Sequence, residues 1–327
     1  MSILVTGGAG YIGSHMVLAL CDAGEHVTVL DNLSTGFRSA IDARATLVEG
    51  DIGDIDLVRD IIKDKSVTSV IHFAGSIIVP ESVEDPLKYY LNNTAKTRNL
   101  IEACVLGKVP HFVFSSTAAV YGTPKKIPVT EDAPLDPMSP YGRSKLMTEW
   151  MIQDVAAAHG LKYAILRYFN VAGADPKGRS GQSTHNATHL IKVAVQAALG
   201  LRDHMSIFGS DYATPDGTCI RDYIHVSDLI SAHEAALKHL RAGGESLIAN
   251  CGYGHGASVK EVVNAVERVS SKKFDVRMAD RRAGDPDAIV ADATRAREIL
   301  GWKPSHDNLD EIVAHAYAWE SQLSETA

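Results

Sequence analysis

Apolar positions in the first half of the chain gather in short runs, each followed by a longer stretch of mixed polarity. Ile3-Leu4-Val5, Val27-Thr28-Val29-Leu30, Leu47 to Ile52, Ser69 to Gly75, His111-Phe112-Val113-Phe114 and Tyr163 to Arg167 have the length and composition of buried strands. Between them, the largely apolar stretch opened by Gly13, then Leu57 to Ile62, Tyr89 to Leu106 and Tyr141 to about Ala158 read as helices. Strands and helices alternating through short connections predict an α/β chain with a doubly wound parallel sheet over residues 1–168. After Asn170 the texture changes. Gly, Pro, Asp, Arg and Ser dominate Gly173 to Asn186, which is too polar for a core. Beyond it, helices around Leu190 to Leu199 and Val259 to Val269, with several short strands between and after, predict a smaller α+β portion. That portion, residues 169–327, is expected to close over the ligand edge of the sheet, with some segments returning to it.

The first connection carries chemistry. Strand, Gly7-Gly8-Ala9-Gly10-Tyr11-Ile12-Gly13, helix is the context in which glycines bind phosphate: they turn sharply, and the backbone can approach a pyrophosphate resting on the helix N-terminus. The spacing is G-x-x-G-x-x-G, and the sheet is accordingly expected to be Rossmann-like. Asp31 ends the second strand, 18 residues beyond Gly13, where a carboxylate accepts ribose hydroxyls and repels a 2′-phosphate. The reading is NAD over NADP, with Arg38 downstream as the one contrary sign. Asp51, at the end of the third strand, is placed to meet an adenine amino group.

A second constellation is Tyr141-Gly142-Arg143-Ser144-Lys145, which on a helix sets a phenol and an ammonium on one face. A phenol with a pKa of about 10 is a poor base at neutral pH. A neighbouring cation favours the phenolate, and a second favours it further. The pair can then move a proton near pH 7. Taken alone the pattern is weak, since most such pairs are a solvated helix face; the dinucleotide loop, which brings a second cation, changes the balance. Ser115-Ser116-Thr117 ends another strand and points hydroxyls into the crevice at the carboxyl edge of the sheet. His72 reads as a satisfied core histidine.

Composition narrows the classes. The chain has 327 residues, 45% of them hydrophobic, and a formal net charge of -8, so no basic excess exists to neutralise nucleic-acid phosphates. Cys21, Cys104, Cys219 and Cys251 lie far apart without metal-ligand spacing and read as buried or free thiols of a reducing compartment. The opening strand leaves no room for a signal peptide and no apolar run reaches membrane-spanning length, so a cytoplasmic protein with no membrane partner and no metal is expected.

These motifs, together with Phe114 to Gly122, Arg167-Tyr168-Phe169-Asn170, Arg221 to Val226 and Arg281 to Pro286, resemble the extended short-chain dehydrogenase/reductase family, and within it the UDP-sugar 4-epimerases. The likeness spans nearly the whole chain. It implies NAD as cofactor, a UDP-sugar as substrate, and interconversion of UDP-glucose and UDP-galactose through a 4-keto intermediate. It implies Tyr141 as base, Lys145 as its electrostatic partner and ribose ligand, and Thr117 at the family's serine position. Gly7, Gly10, Tyr11, Ile12, Gly13, Asp31, Asn32, Ser34, Thr35, Gly36, Asp51, Ile52, Phe73, Ala74, Gly75 and Phe169 would join them around the cofactor. Asn170, His189, Leu190, Phe208, Arg221, Arg282, Asp285 and Ile289 would contact the nucleotide sugar, the two arginines as forks for its diphosphate.

Two positions depart from the family: Ile77 where a lysine is common, and His189 where asparagine is. A nucleotide-sugar 4,6-dehydratase is the nearest rival, but it needs an acid and a base where Ala118 and Ala119 follow Thr117. A decarboxylating relative and a non-catalytic NAD-sensing protein complete the alternatives. The helices Asn93 to Leu106 and Tyr141 to Ala158 carry apolar residues on more than one face, and with the family's usual arrangement they imply a homodimer. The resemblance places Ile289 at the pocket wall that limits bulk on the sugar's C2 substituent, and with a β-branched residue of intermediate size there it implies a preference for UDP-glucose and UDP-galactose over N-acetylated sugars.

Overall fold

The computed structural model describes residues 1–184, 187–281 and 285–326. Its first half runs β1 (Ser2–Thr6), α1 (Tyr11–Asp22), β2 (His26–Asp31), β3 (Thr46–Glu49), α2 (Ile55–Asp64), β4 (Ser69–His72), α3 (Val79–Glu84), α4 (Pro86–Tyr89), α5 (Lys96–Leu106), β5 (His111–Thr117), α6 (Pro140–His159) and β6 (Lys162–Tyr168). The rest runs β7 (Asn170–Ala172), α7 (Leu190–Ala198), β8 (Met205–Phe208), β9 (Ile220–Arg221), β10 (Tyr223–His225), α8 (Val226–Arg241), β11 (Leu247–Cys251), β12 (Ala257–Ser258), α9 (Val259–Ser270), β13 (Val276–Ala279), β14 (Ala288–Ile289), α10 (Thr294–Leu300) and α11 (Leu309–Thr326).

Seven parallel strands form the main sheet in the order β11-β6-β5-β4-β1-β2-β3. The reversal between β1 and β4 makes it doubly wound, with its ligand crevice at the carboxyl ends of those strands. Successive residues point to opposite faces, and both faces of the central strands are covered, so apolar residues line both sides of them, with polar ones mostly toward the strand ends. Ile3, Val5, Val29, Ile71, Val113, Ala164 and Leu166 belong to one core with α1 and α8. Leu4, Leu30, Val70, Phe112, Phe114 and Ile165 belong to the other, with α2, α5 and Ile152 of α6.

The predicted long helix from Tyr89 to Leu106 is interrupted: a π-helical turn at Tyr90–Ala95 separates α4 from α5. The expectation of short strands between Leu199 and Val259 misses the 16-residue α8, which packs on β5 and β6. It also misses α11. β11, from the second half of the chain, forms the edge of the main sheet beside β6, with Ala249 opposite Leu166. Among the described residues, the remaining strands make three small sheets, β10-β7, β12-β9-β14 and β13-β8. Among the described residues, no helix is long and apolar enough to cross a membrane.

Candidate active site

The glycine loop is built by close approach. Gly7 has φ +72°, and a Cβ there would lie 2.5 Å from the Ala74 amide nitrogen. At Gly13 it would lie 2.1 Å from the Gly7 carbonyl oxygen. Gly10 is the N-cap of α1 and offers no side chain, so the open amides of the first turn face whatever binds there. Tyr11 Oη donates to the Gly173 carbonyl at 2.7 Å, and Ile12 packs against the adjoining core. Thr35 and Gly36 lead the next loop back over this one, where Phe37 N donates to Ala9 O at 3.0 Å.

Asp31 ends β2 with one carboxylate oxygen accepting from Ala9 N at 2.9 Å and the other from Leu33 N at 2.8 Å. Its orientation is thus fixed beside the loop while further lone pairs stay open to a ribose. Arg38 pairs with Glu49 at 2.5 Å, with both side chains exposed. Asn32 accepts from Ser34 N at 3.1 Å and donates to Asp51 at 3.4 Å. Burial pushes the Asp51 carboxyl up, but Lys96 at 2.6 Å and the Gly53 amide outweigh it and hold the group below its ordinary value. Ile52 is buried behind it. Phe73, Ala74 and Gly75 follow β4; a Cβ on Gly75 would come within 3.6 Å of Lys145 Nζ. The loop, the fixed carboxylate and this bare backbone fit a dinucleotide lying from Asp51 to Lys145.

Ser139 caps α6 by accepting from Gly142 N at 3.2 Å, and Pro140 pre-sets its first turn. That start presents Tyr141 and Lys145 on one face, both buried. Burial raises the Tyr141 phenol above its ordinary value, and a hydrogen bond with Thr117 opposes it. Thr117 closes β5, its Oγ1 accepting from Ala119 N at 3.1 Å. Lys145 Nζ donates to Ser115 O at 3.1 Å and lies 5.0 Å from the Phe114 ring. Burial lowers Lys145 to about 8, with Glu149 opposing. Thr117, Tyr141 and Lys145 therefore meet at the carboxyl edge of the sheet beside Gly75.

On the second flank, Phe169 packs against a cluster containing Ala118, Leu146 and Ile289. Asn170, His189 and Leu190 line one small cavity, and His189, the N-cap of α7, pairs its Nδ1 with Gln182 Nε2 at 2.8 Å. Arg221 donates to Ile220 O at 2.8 Å and Pro286 O at 2.9 Å and lies 3.6 Å from Asp285. Ile289 sits opposite Arg221 in the β9–β14 register, so Arg221, Asp285 and Ile289 come together. Phe208 ends β8, in a different small sheet. Arg282 lies outside the described residues. Ile77 is half-exposed.

His72 is the core residue the sequence suggests, bonded to Thr6 at 2.6 Å and Thr97 at 3.0 Å and pushed down by burial to about 3. Residues missed from the sequence include Lys96, and Asn93, which ties Ser76 to Ser144 of α6. Neither carries a local signal: Asn93 lies in the π-helical turn. Glu149 did carry one, as the third member of the Tyr141, Lys145 stripe. His225, His306 and His315 cluster closely enough to hold a metal ion. Both ring nitrogens of His225 are already engaged, however, Nδ1 by the Ser227 amide at 3.0 Å and Nε2 by His315 Nδ1 at 3.0 Å.

Residues 3–252 match the model of the NAD dependent epimerase/dehydratase family. The chain belongs to that family. Among members of the NAD dependent epimerase/dehydratase family, it is 60% identical over 324 residues to a UDP-glucose 4-epimerase of Azospirillum brasilense, covering 99% of this chain and 93% of that one. It superposes on the UDP-glucose 4-epimerase of Brucella ovis in complex with NAD at a TM-score of 0.95, with 46% identity and 97% of each chain covered. The Bifidobacterium longum enzyme in complex with NAD⁺ and UDP gives 0.94, with 35% identity and 100% of each chain covered.

Proposed function

We propose that this protein interconverts UDP-glucose and UDP-galactose as an NAD-dependent 4-epimerase. The observation that carries the reading is the meeting of Thr117, Tyr141 and Lys145 beside the bare backbone of Gly75. The glycine loop, Asp31, Asp51 and Lys145 would hold NAD, which would supply a reversible hydride acceptor for the sugar C4. Tyr141 takes the proton of the 4-hydroxyl as the 4-keto sugar forms and gives it back after the sugar has turned. Thr117 steers that hydroxyl. Lys145 stabilises the phenolate, which a buried phenol could not sustain alone. Asp31 favours NAD over NADP. Arg221, Asp285, Asn170, His189, Leu190 and Phe208 are assigned to the nucleotide sugar, Arg221 to its diphosphate. Ile289, buried in one apolar cluster with Leu146 and Phe169, supports the preference for UDP-glucose and UDP-galactose over their N-acetyl counterparts.

The dehydratase alternative lacks its proton carriers, since Ala118 and Ala119 follow Thr117 directly. Residues 1–168 take the cofactor and 169–327 mainly the substrate. The exposed Leu91, Met147 and Trp150, on the π-helical turn and α6, support a homodimer, and four buried free thiols support a cytoplasmic setting. Incubating the purified protein with UDP-galactose tests the reaction: UDP-glucose should accumulate without added dinucleotide. Tyr141→Phe should keep its NAD and lose activity by roughly 10²-fold or more. Near wild-type turnover by that variant at saturating substrate would remove Tyr141 from its role.

A further inference from the structure

The face of α6 that carries Tyr141 and Lys145 continues to a third ionisable residue. Glu149 lies four residues beyond Lys145 and is wholly buried. Its Oε1 accepts from Ser116 Oγ at 2.5 Å and from Arg167 Nε at 3.0 Å, and its Oε2 accepts from the Arg167 Nη2 at 2.5 Å. Arg167, on β6, is itself 2% exposed and donates onward to Tyr121 Oη at 3.0 Å. A buried ion pair is a weak source of stability, because desolvating two charges offsets most of their attraction. Its surroundings point to another role.

Two adjacent turns of α6 grip two adjacent residues of β5. Lys145 Nζ holds the Ser115 carbonyl and Glu149 holds the Ser116 hydroxyl. The next residue along the strand is Thr117, the hydroxyl that meets Tyr141. We propose that Glu149 is a positioning residue of the reaction: its carboxylate clamps the catalytic helix to β5 and sets the negative potential under which Lys145 works. The proposal rests on the epimerase reading of the site.

Little around Lys145 keeps it charged. His72 of β4, which senses the Lys145 charge, is held neutral by burial, the Ser115 oxygen that Lys145 holds is an uncharged carbonyl, and Arg167 beyond Glu149 is itself a cation. Burial itself works against the ammonium, and Glu149 is the charge that opposes burial. Removing that charge lowers the pH at which Lys145 gives up its proton. The phenolate of Tyr141 loses its partner at the same point.

The test is the pH profile of kcat on UDP-galactose for holoenzyme of the wild type, Glu149→Gln and Glu149→Asp. In Glu149→Gln the alkaline limb should move to lower pH by about one unit. On that limb kcat should fall by about tenfold while KM changes little and NAD is retained. Glu149→Asp keeps the charge and shortens the clamp, so its limb should stay near the wild-type position while its Tm drops. An unmoved limb in folded, NAD-bearing Glu149→Gln would overturn the proposal. So would equal displacement in both variants, because distortion alone would then account for it. If Glu149→Gln does not fold, the Asp variant decides: a displaced limb overturns the proposal and a retained one supports it. Wild-type protein that leaves UDP-galactose unconverted would refute the epimerase reading instead.

Discussion

A carboxylate that is oriented before its ligand arrives discriminates more sharply than a mobile one, because no side-chain ordering has to accompany binding. Asp31 is oriented in this way by the Ala9 and Leu33 amides. Asp31→Ala should weaken NAD binding by about tenfold or more, the worth of a charged hydrogen bond. It should also narrow the preference over NADP. Titration of apoprotein with both dinucleotides reads this out, and unchanged affinities would place the ribose elsewhere. Asp31 was legible in the sequence because a carboxylate at a strand tip after a glycine loop has few other reasons to be there. Lys96 was not, since its partner Asp51 is 45 residues away and only the fold brings them together.

Among elements, the β1-loop-α1 unit depends most on one missing atom. Alanine is the better helix former by about 1 kcal/mol, so Gly13→Ala in an isolated helix would stabilise. Here the added Cβ would meet the Gly7 backbone at 2.1 Å, and no flexible side chain is there to yield. The expected outcome is the opposite sign: a lower Tm and protein that purifies without dinucleotide, seen as loss of the extra absorbance near 260 nm. The alternating first half was readable because each strand is a compact apolar run between polar connections. α8 was missed although Val226, Leu229, Ile230, His233, Leu237 and Leu240 recur at helical spacing. Its stripe includes a histidine, and the short strands expected around it masked the period. The break at Tyr90–Ala95 falls on Asn92-Asn93-Thr94, three poor helix formers in a row, a local cue that the reading of one long helix passed over.

On the scale of the whole molecule, burial governs the response to acid. His72, His225 and His233 are buried, with pKa values pushed down from 6.5 to about 3, 3 and 4 respectively. Above pH 6.5 folded and unfolded chains are both neutral at these sites and the stability is complete. As pH falls below 6.5 the unfolded chain takes up protons that the folded one refuses, and stability is lost progressively down to the folded values. Urea midpoints should therefore drop between pH 6.5 and 5, before most carboxylates titrate. A flat profile across that window would contradict the assignment. The exposed Trp150, Met147 and Leu91 make the second test at this scale. Light scattering at micromolar concentration should give twice the 35.2 kDa chain mass, and Trp150→Glu should shift it toward the monomer. A monomeric wild type would refute the dimer.

The position of β11 also sets a timetable for synthesis. β6 is made by residue 168, but its outer neighbour is not complete until residue 251 has left the ribosome. Throughout that interval the nascent sheet ends in Ala164-Ile165-Leu166, with backbone donors and acceptors free along one side. A bare apolar edge of this kind pairs readily with another unfinished chain. Ribosome stalling or truncation between residues 168 and 251 should therefore yield aggregates rather than a soluble dinucleotide-binding fragment, whereas chains released after 251 should not share that fate.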